Sequence, residues 1–120
     1  MIKKSELSKI FKYALKKHAE NKFNEAQELY KKILKYFPND ANTLYLLGTL
    51  YAQIRDFKKA EYFILKSLKF NKNNADAHYN LGNILQNQKK LQEAILAYQK
   101  AIQLRKNYIK AYYNLGQVFF

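Results

Sequence analysis

The chain repeats itself every 34 residues, and that period limits its fold more than any other feature. Units beginning at Leu7, Ala41, Ala75 and Ile109 align without insertion. Their eighth positions are Ala14, Gly48, Gly82 and Gly116, preceded by Tyr13, Leu47, Leu81 and Leu115. A second small residue recurs at Ala26, Ala60 and Ala94. A bulky residue follows it four places on, at Tyr30, Ile64 and Tyr98, and Phe23, Phe57 or Leu91 stands three places before it. A fixed period of this size marks an array in which one supersecondary unit cannot bury its apolar face alone and stacks on the next.

Each unit reads as two helices. In the first, unit positions 4, 7, 8 and 11 form a 3.6-residue stripe, which in the third unit is His78, Leu81, Gly82 and Leu85. The second helix carries Leu91, Ala94, Ile95, Tyr98, Ala101 and Ile102 on one side. Small residues at positions 8 and 20 let two antiparallel helices approach closely. The turn between them falls at Asn21, Arg55 and Lys89, where a left-handed residue is expected; Asn accepts that conformation, and Arg and Lys hold it at some strain. Asp40, Asn74 and Asn107 are the expected N-caps of the helices that follow them. Pro38 is expected to stop the second helix of the first unit. One Pro and three Gly are too few punctuators for a many-turned β fold. No Cys is present for a disulfide or thiolate site, and no run of 18 apolar residues exists to span a membrane.

The Leu-Gly pair, the later Ala and the helix-breaking Pro at this period resemble the tetratricopeptide repeat family. The likeness covers Leu7 to Phe120 and implies an all-α fold, a right-handed α–α superhelix of helix-turn-helix repeats. The expected layout is a single array: repeat 1 at 7–40, repeat 2 at 41–74, repeat 3 at 75–108, and the first helix of an incomplete repeat 4 at 109–120. Lys17 and Ile33 depart from the family's large apolar and small residues, and Lys72 and Lys106 replace its Pro. A pentatricopeptide array, which binds RNA, needs about 35 residues and lacks this Leu-Gly pair. The fourth unit lacks the helix on which Leu115 and Phe119 would pack, so a piece of a longer protein is expected; self-association through this uncapped helix is the alternative.

By the same resemblance the first helices line a concave groove that takes an extended peptide or a helix. Positions off the packing stripe give the candidate site: Tyr45, Thr49 and Gln53; Tyr79, Asn80, Asn83 and Asn87; Lys110, Tyr113, Asn114 and Gln117. Asp76 is expected opposite Lys110. Tyr30 and Tyr98 are expected in the core; Tyr45, Tyr79 and Tyr113 either meet a ligand or pack along the superhelix edge. Family members that grip the acidic C-terminus of heat-shock chaperones use Lys, Arg and Asn. Here the corresponding positions hold Phe11, Leu15 and Leu46, or Tyr45 and Thr49 one unit on, so that clamp is missing. The repeats of O-linked N-acetylglucosamine transferase carry an Asn before each Leu-Gly; Asn80 and Asn114 match, and Lys12 and Leu46 do not. An Asn amide offers both a donor and an acceptor to an extended backbone.

The net charge of +13 raises a nucleic-acid reading, yet Arg occurs only at 55 and 105. Lys32, Lys66 and Lys100 share one position on the second helices, where a solvated outer face is expected. No phosphate-binding Gly loop, clustered metal ligands or nucleophile with a base appears, with His18 expected at the surface and His78 in the core. The expectation is therefore a cytoplasmic, non-enzymatic scaffold without cofactor or metal. Its partner is a protein or peptide rather than a specific nucleic acid or a membrane. A substrate-recognition arm of a larger, glycosyltransferase-like enzyme is the alternative, and RNA binding through the lysines is the least favoured.

Overall fold

A computed structural model describes residues 2–118, and these form seven helices: α1 (Lys4–Ala19), α2 (Phe23–Tyr36), α3 (Ala41–Gln53), α4 (Phe57–Phe70), α5 (Ala75–Asn87), α6 (Leu91–Leu104) and α7 (Ile109–Val118). They pair as hairpins α1–α2, α3–α4 and α5–α6, each stacked on the next, and α7 follows against α6. The stack extends 50 Å along its long axis and 25 by 21 Å across. Consecutive first helices also touch, α3 against α5 and α5 against α7, so these helices share one face of the array.

The small residues work by contact. A Cβ placed on Gly48 would lie 2.8 Å from the Ile64 side chain, and one on Gly82 would lie 2.5 Å from the Tyr98 ring. Ala14, Ala26, Ala60 and Ala94 are wholly buried for the same reason. Tyr30, Leu44, Leu47, Leu50, Ile64, Ile84 and Tyr98 fill the seam as its largest enclosed apolar side chains. Each contributes roughly 1.5–3 kcal/mol through removal from water. Both tyrosines are in the core as expected. Burial pushes each phenol pKa up to about 12, so the hydroxyl stays protonated at neutral pH.

The turns confirm the strained positions. Asn21, Arg55 and Lys89 have φ of 60°, 65° and 62°. Around Lys89 the two hydrogen bonds of a Schellman closure form, Lys89 N to Gln86 O at 2.9 Å and Lys90 N to Leu85 O at 2.9 Å. Asp40 and Asn74 cap α3 and α5 through Thr43 N and Ala77 N, both at 3.1 Å. Asn107 does not match the third expected cap. The residue before Ile109 is Tyr108, so Asn107 falls one place out of register and offers only its carbonyl to Ile109 N, at 2.9 Å. Helix α2 ends at Tyr36, ahead of Pro38, and α1 begins at Lys4, ahead of the unit boundary at Leu7.

Both histidines depart from expectation. His18 is half-buried rather than on the surface: its ring lies between the Tyr30 hydroxyl (2.8 Å) and Gln53 Oε1 (2.5 Å), edge-on to Phe23. His78 is only half-buried rather than core, because its Nε2 finds the Lys72 carbonyl at 3.0 Å in the inter-repeat turn and leaves the rest of the ring at the rim. Phe119, expected to pack on a following helix, lies outside the described residues.

Candidate functional site

The first helices α3, α5 and α7 carry all the candidate residues, and their 34-residue register gives two copies of one local arrangement. Asn80, on α5, donates its Nδ2 back to α3, to Thr49 Oγ1 at 3.2 Å and Tyr45 Oη at 3.4 Å. Asn114, on α7, donates its Nδ2 back to α5, to Asn83 Oδ1 at 2.8 Å and Tyr79 Oη at 3.1 Å. Unit position 6 thus reaches positions 5 and 9 of the unit before it. The polarity of the first rung is fixed, because the Thr49 hydroxyl donates to the Tyr45 carbonyl at 2.9 Å and can only accept from the amide. In the second, Asn83 Oδ1 accepts both from the Asn114 amide and from the Tyr98 hydroxyl, the latter at 2.6 Å. Both amides therefore spend their donors on bracing. Neither Oδ1 has a partner among the described residues, and neither is a fully buried atom left unpaired.

Two clefts flank the first rung. One, of about 240 Å³, is lined by Thr49, Gln53, Arg55, Phe57, Asn80, Asn83 and Asn87. The other, of about 410 Å³, is lined by Tyr45, Asp76, Tyr79, Asn80, Arg105, Tyr108 and Lys110. Asn80 belongs to both. A third depression of about 570 Å³ on α7 includes Tyr113 and Gln117.

The candidate residues differ in exposure. Gln53, Asn87, Lys110, Tyr113 and Gln117 are exposed, and Tyr113 reaches 66%. Tyr45, Thr49, Tyr79, Asn80, Asn83 and Asn114 are half-buried. Gln53 is held by His18 and Asn87 donates to the Asn83 carbonyl at 2.8 Å. The Tyr79 ring leans on Tyr108 with centroids 5.0 Å apart. The Tyr45 phenol pKa is raised, first by burial and then by the nearby Asp76 charge, so it too stays neutral.

Asp76 does not pair with Lys110. Arg105 reaches it first, through two bonds of 2.9 and 3.3 Å, and the Tyr108 hydroxyl donates to it at 2.6 Å. The Arg105 bonds, then the Tyr108 bond, hold the Asp76 carboxyl below its usual value. Arg105 and Tyr108 were not among the sequence candidates, because both stand at the inter-repeat turn rather than on a first helix. Among the described residues no group of three or more His, Asp or Glu side chains could hold a metal ion, and no helix is long and apolar enough to cross a membrane.

No curated protein matches the chain in sequence. Solved structures do. The crystal structure of MamA superposes with a TM-score of 0.90 at 26% identity, over 94% of this chain and 66% of that one. The first repeat domain of Spaghetti (RPAP3), bound to an HSP90 peptide, gives 0.91 at 20% identity, over 98% and 93%. An O-GlcNAc transferase from Thermobaculum terrenum gives 0.89 at 21% identity, over 98% of this chain but only 23% of that one. The chain thus spans slightly less than two thirds of the MamA structure and under a quarter of the transferase. Family models described as tetratricopeptide repeat match residues 17–78, just over half of the 120, and residues 75–108. The chain belongs to the tetratricopeptide repeat family.

Proposed function

We propose that this chain is a cytoplasmic protein–protein interaction module, with no catalytic role of its own, that holds an extended peptide along α3, α5 and α7. The observation that carries the reading is the pair of equivalent rungs. Asn80 and Asn114 are held one repeat apart by their Nδ2 donors, which leaves each Oδ1 as the acceptor for a ligand in this reading. Unpaired backbone N–H groups of an extended peptide match such acceptors, and the flanking clefts take alternate side chains. The two clefts combine amide and phenol groups with Arg55, Lys110 and the Asp76–Arg105 pair, so their lining does not select a neutral peptide over an acidic one. Two proteins of the same fold were captured with peptides, Spaghetti (RPAP3) with one from HSP90 and the Yersinia enterocolitica chaperone SycD with one from YopD, which supports a peptide as the ligand class.

Titration of the chain with a fluorescent peptide selected from a random display library tests this. Asn80→Ala combined with Asn114→Ala is expected to weaken capture on the order of tenfold or more, with helicity unchanged, since each lost hydrogen bond is worth about 0.5–1.5 kcal/mol. Equal affinity for the double variant removes both residues from the site.

A second reading rests on the match of nearly the whole chain to a small part of the O-GlcNAc transferase. In it the array is the substrate-recognition arm of a larger enzyme. A catalytic domain encoded beyond Phe120 supports that reading, and further repeats alone support the scaffold.

A further inference from the structure

The outward side of α4 differs from an ordinary solvated helix face. Lys58, Tyr62, Leu65 and Lys69 stand at i, i+4, i+7 and i+11, a single stripe roughly 16 Å long at 1.5 Å per residue. All four are exposed, Tyr62 at 59% and Leu65 at 48%. Lys66 flanks the stripe, and none of these lysines forms an ion pair among the described residues. The helix's one carboxylate, Glu61, is already engaged by Gln88 at 2.6 Å and Lys90 at 3.1 Å. One repeat on from Tyr62, the same position of α6 holds Leu96, which is 66% exposed. Apolar tips therefore stand between unpaired cations on a face separate from the α3–α5–α7 groove.

We infer that the outer face of α4, continued by Leu96 on α6, docks on an anionic lipid surface. Three properties select this partner. The free cations complement an anionic headgroup layer, and the chain's net charge of +13 adds a general attraction. All the cations of the face are Lys, whose long stem lies along an apolar surface while its ammonium stays in the headgroups; a nucleic-acid face favours the planar guanidinium of Arg. Tyr62, Leu65 and Leu96 protrude from a helix ridge. A bilayer interface accepts such side chains without a matching groove, and an amphipathic Tyr ring suits its headgroup level. The sequence pattern alone points only to a solvated lysine face. What changes the reading is the exposure of the apolar residues set among those lysines. The inference does not depend on the peptide groove, whose candidate residues lie on α3, α5 and α7.

Co-sedimentation of the 120-residue chain with phosphatidylcholine vesicles, with and without phosphatidylglycerol, tests it. Binding is expected only with phosphatidylglycerol present, and it weakens as salt rises. Lys58→Gln with Lys69→Gln lowers partitioning on the order of thirtyfold. Tyr62→Ser with Leu65→Ser lowers it on the order of tenfold with an unchanged far-ultraviolet dichroism spectrum. Equal binding to neutral vesicles overturns the inference. So does a serine variant that partitions like the parent chain, since bare charge attraction then suffices. Tighter binding to single-stranded RNA than to the anionic vesicles, unaffected by the serine substitutions, also overturns it and assigns the face to nucleic acid.

Discussion

The Tyr98 ring lies so close across Gly82 that a methyl group on the glycine would sit 2.5 Å from ring carbon Cε1. Tyr98 is wholly buried and its hydroxyl is tied to Asn83 and to Gln86 at 2.6 and 2.9 Å, so the ring has no room to swing away. Gly82→Ala is therefore expected to destabilise the chain. Overpacking of this kind costs about 1–3 kcal/mol, and the better helix propensity of Ala returns up to about 1 kcal/mol. The net expectation is a loss of up to about 2 kcal/mol. At Gly116 no atom of the described residues lies within 4 Å of the same position, so Gly116→Ala keeps the propensity gain, up to about 1 kcal/mol. Urea unfolding of the two variants checks the contrast, and a Gly82→Ala midpoint at or above that of the parent chain rules out the close-packed seam.

The left-handed turn residues give a stabilising prediction. Lys89 holds a φ of 62° that Gly adopts without the Cβ penalty. Lys89→Gly is expected to raise stability by about 1 kcal/mol, the lower end of the strain at such positions. Arg55→Gly relieves the same strain at a φ of 65° but loses the guanidinium stacked 4.9 Å from the Phe57 ring centroid. Its gain is smaller for that reason. A thermal melt in which Arg55→Gly outperforms Lys89→Gly contradicts the assignment.

The inter-repeat rungs couple residues far apart in sequence. A double-mutant cycle between Asn80→Ala and Thr49→Val isolates the 3.2 Å bond that joins α5 to α3. The coupling expected is about 0.5–1.5 kcal/mol in unfolding free energy. A control cycle between Asn80→Ala and Gln117→Ala, on different units and with no shared bond, is expected to give additive losses. Zero coupling in the first cycle leaves the rung without energetic content, however well formed its geometry.

Much of the architecture was legible because a 34-residue period acts on every unit alike. The small residues at Gly48 and Gly82, the core tyrosines, the positive φ at Arg55 and Lys89 and the caps at Asp40 and Asn74 all follow from positions that recur. What escaped the reading lies between units. A helical stripe shows which way Asn80 points, but its donors go to Tyr45 and Thr49, a relation of 35 and 31 residues that a reading of one unit at a time passes over. The sequence points His18 to the surface because its partner Gln53 stands a full repeat away. The repeat register sets Asp76 opposite Lys110, whereas Arg105 reaches it from the turn with a forked donor. Asn107 failed as a cap because one residue of register separates it from the start of α7.

The Asp76 cluster makes the junction of the third and fourth units sensitive to acid. Its carboxylate is held below the ordinary value, first by the Arg105 bonds and then by the Tyr108 hydroxyl. A carboxyl whose folded pKa is depressed keeps its full contribution above the unfolded value near ~3.9 and loses it as pH falls through the lower folded value. Both partners are about half exposed, Asp76 at 45% and Arg105 at 49% of the side chain, so solvent limits the effect to no more than about 1 kcal/mol. Asp76→Asn retains an acceptor for Tyr108 but has no charge to lose. Its stability is expected to be lower than that of the parent chain at neutral pH and to converge with it as pH drops below about 4. Parallel urea melts across that range read the difference directly. A gap between the two proteins that stays constant down to the lowest pH at which both fold shows that the Asp76 charge carries no part of the stability, and that the Tyr108 bond and local packing account for the junction.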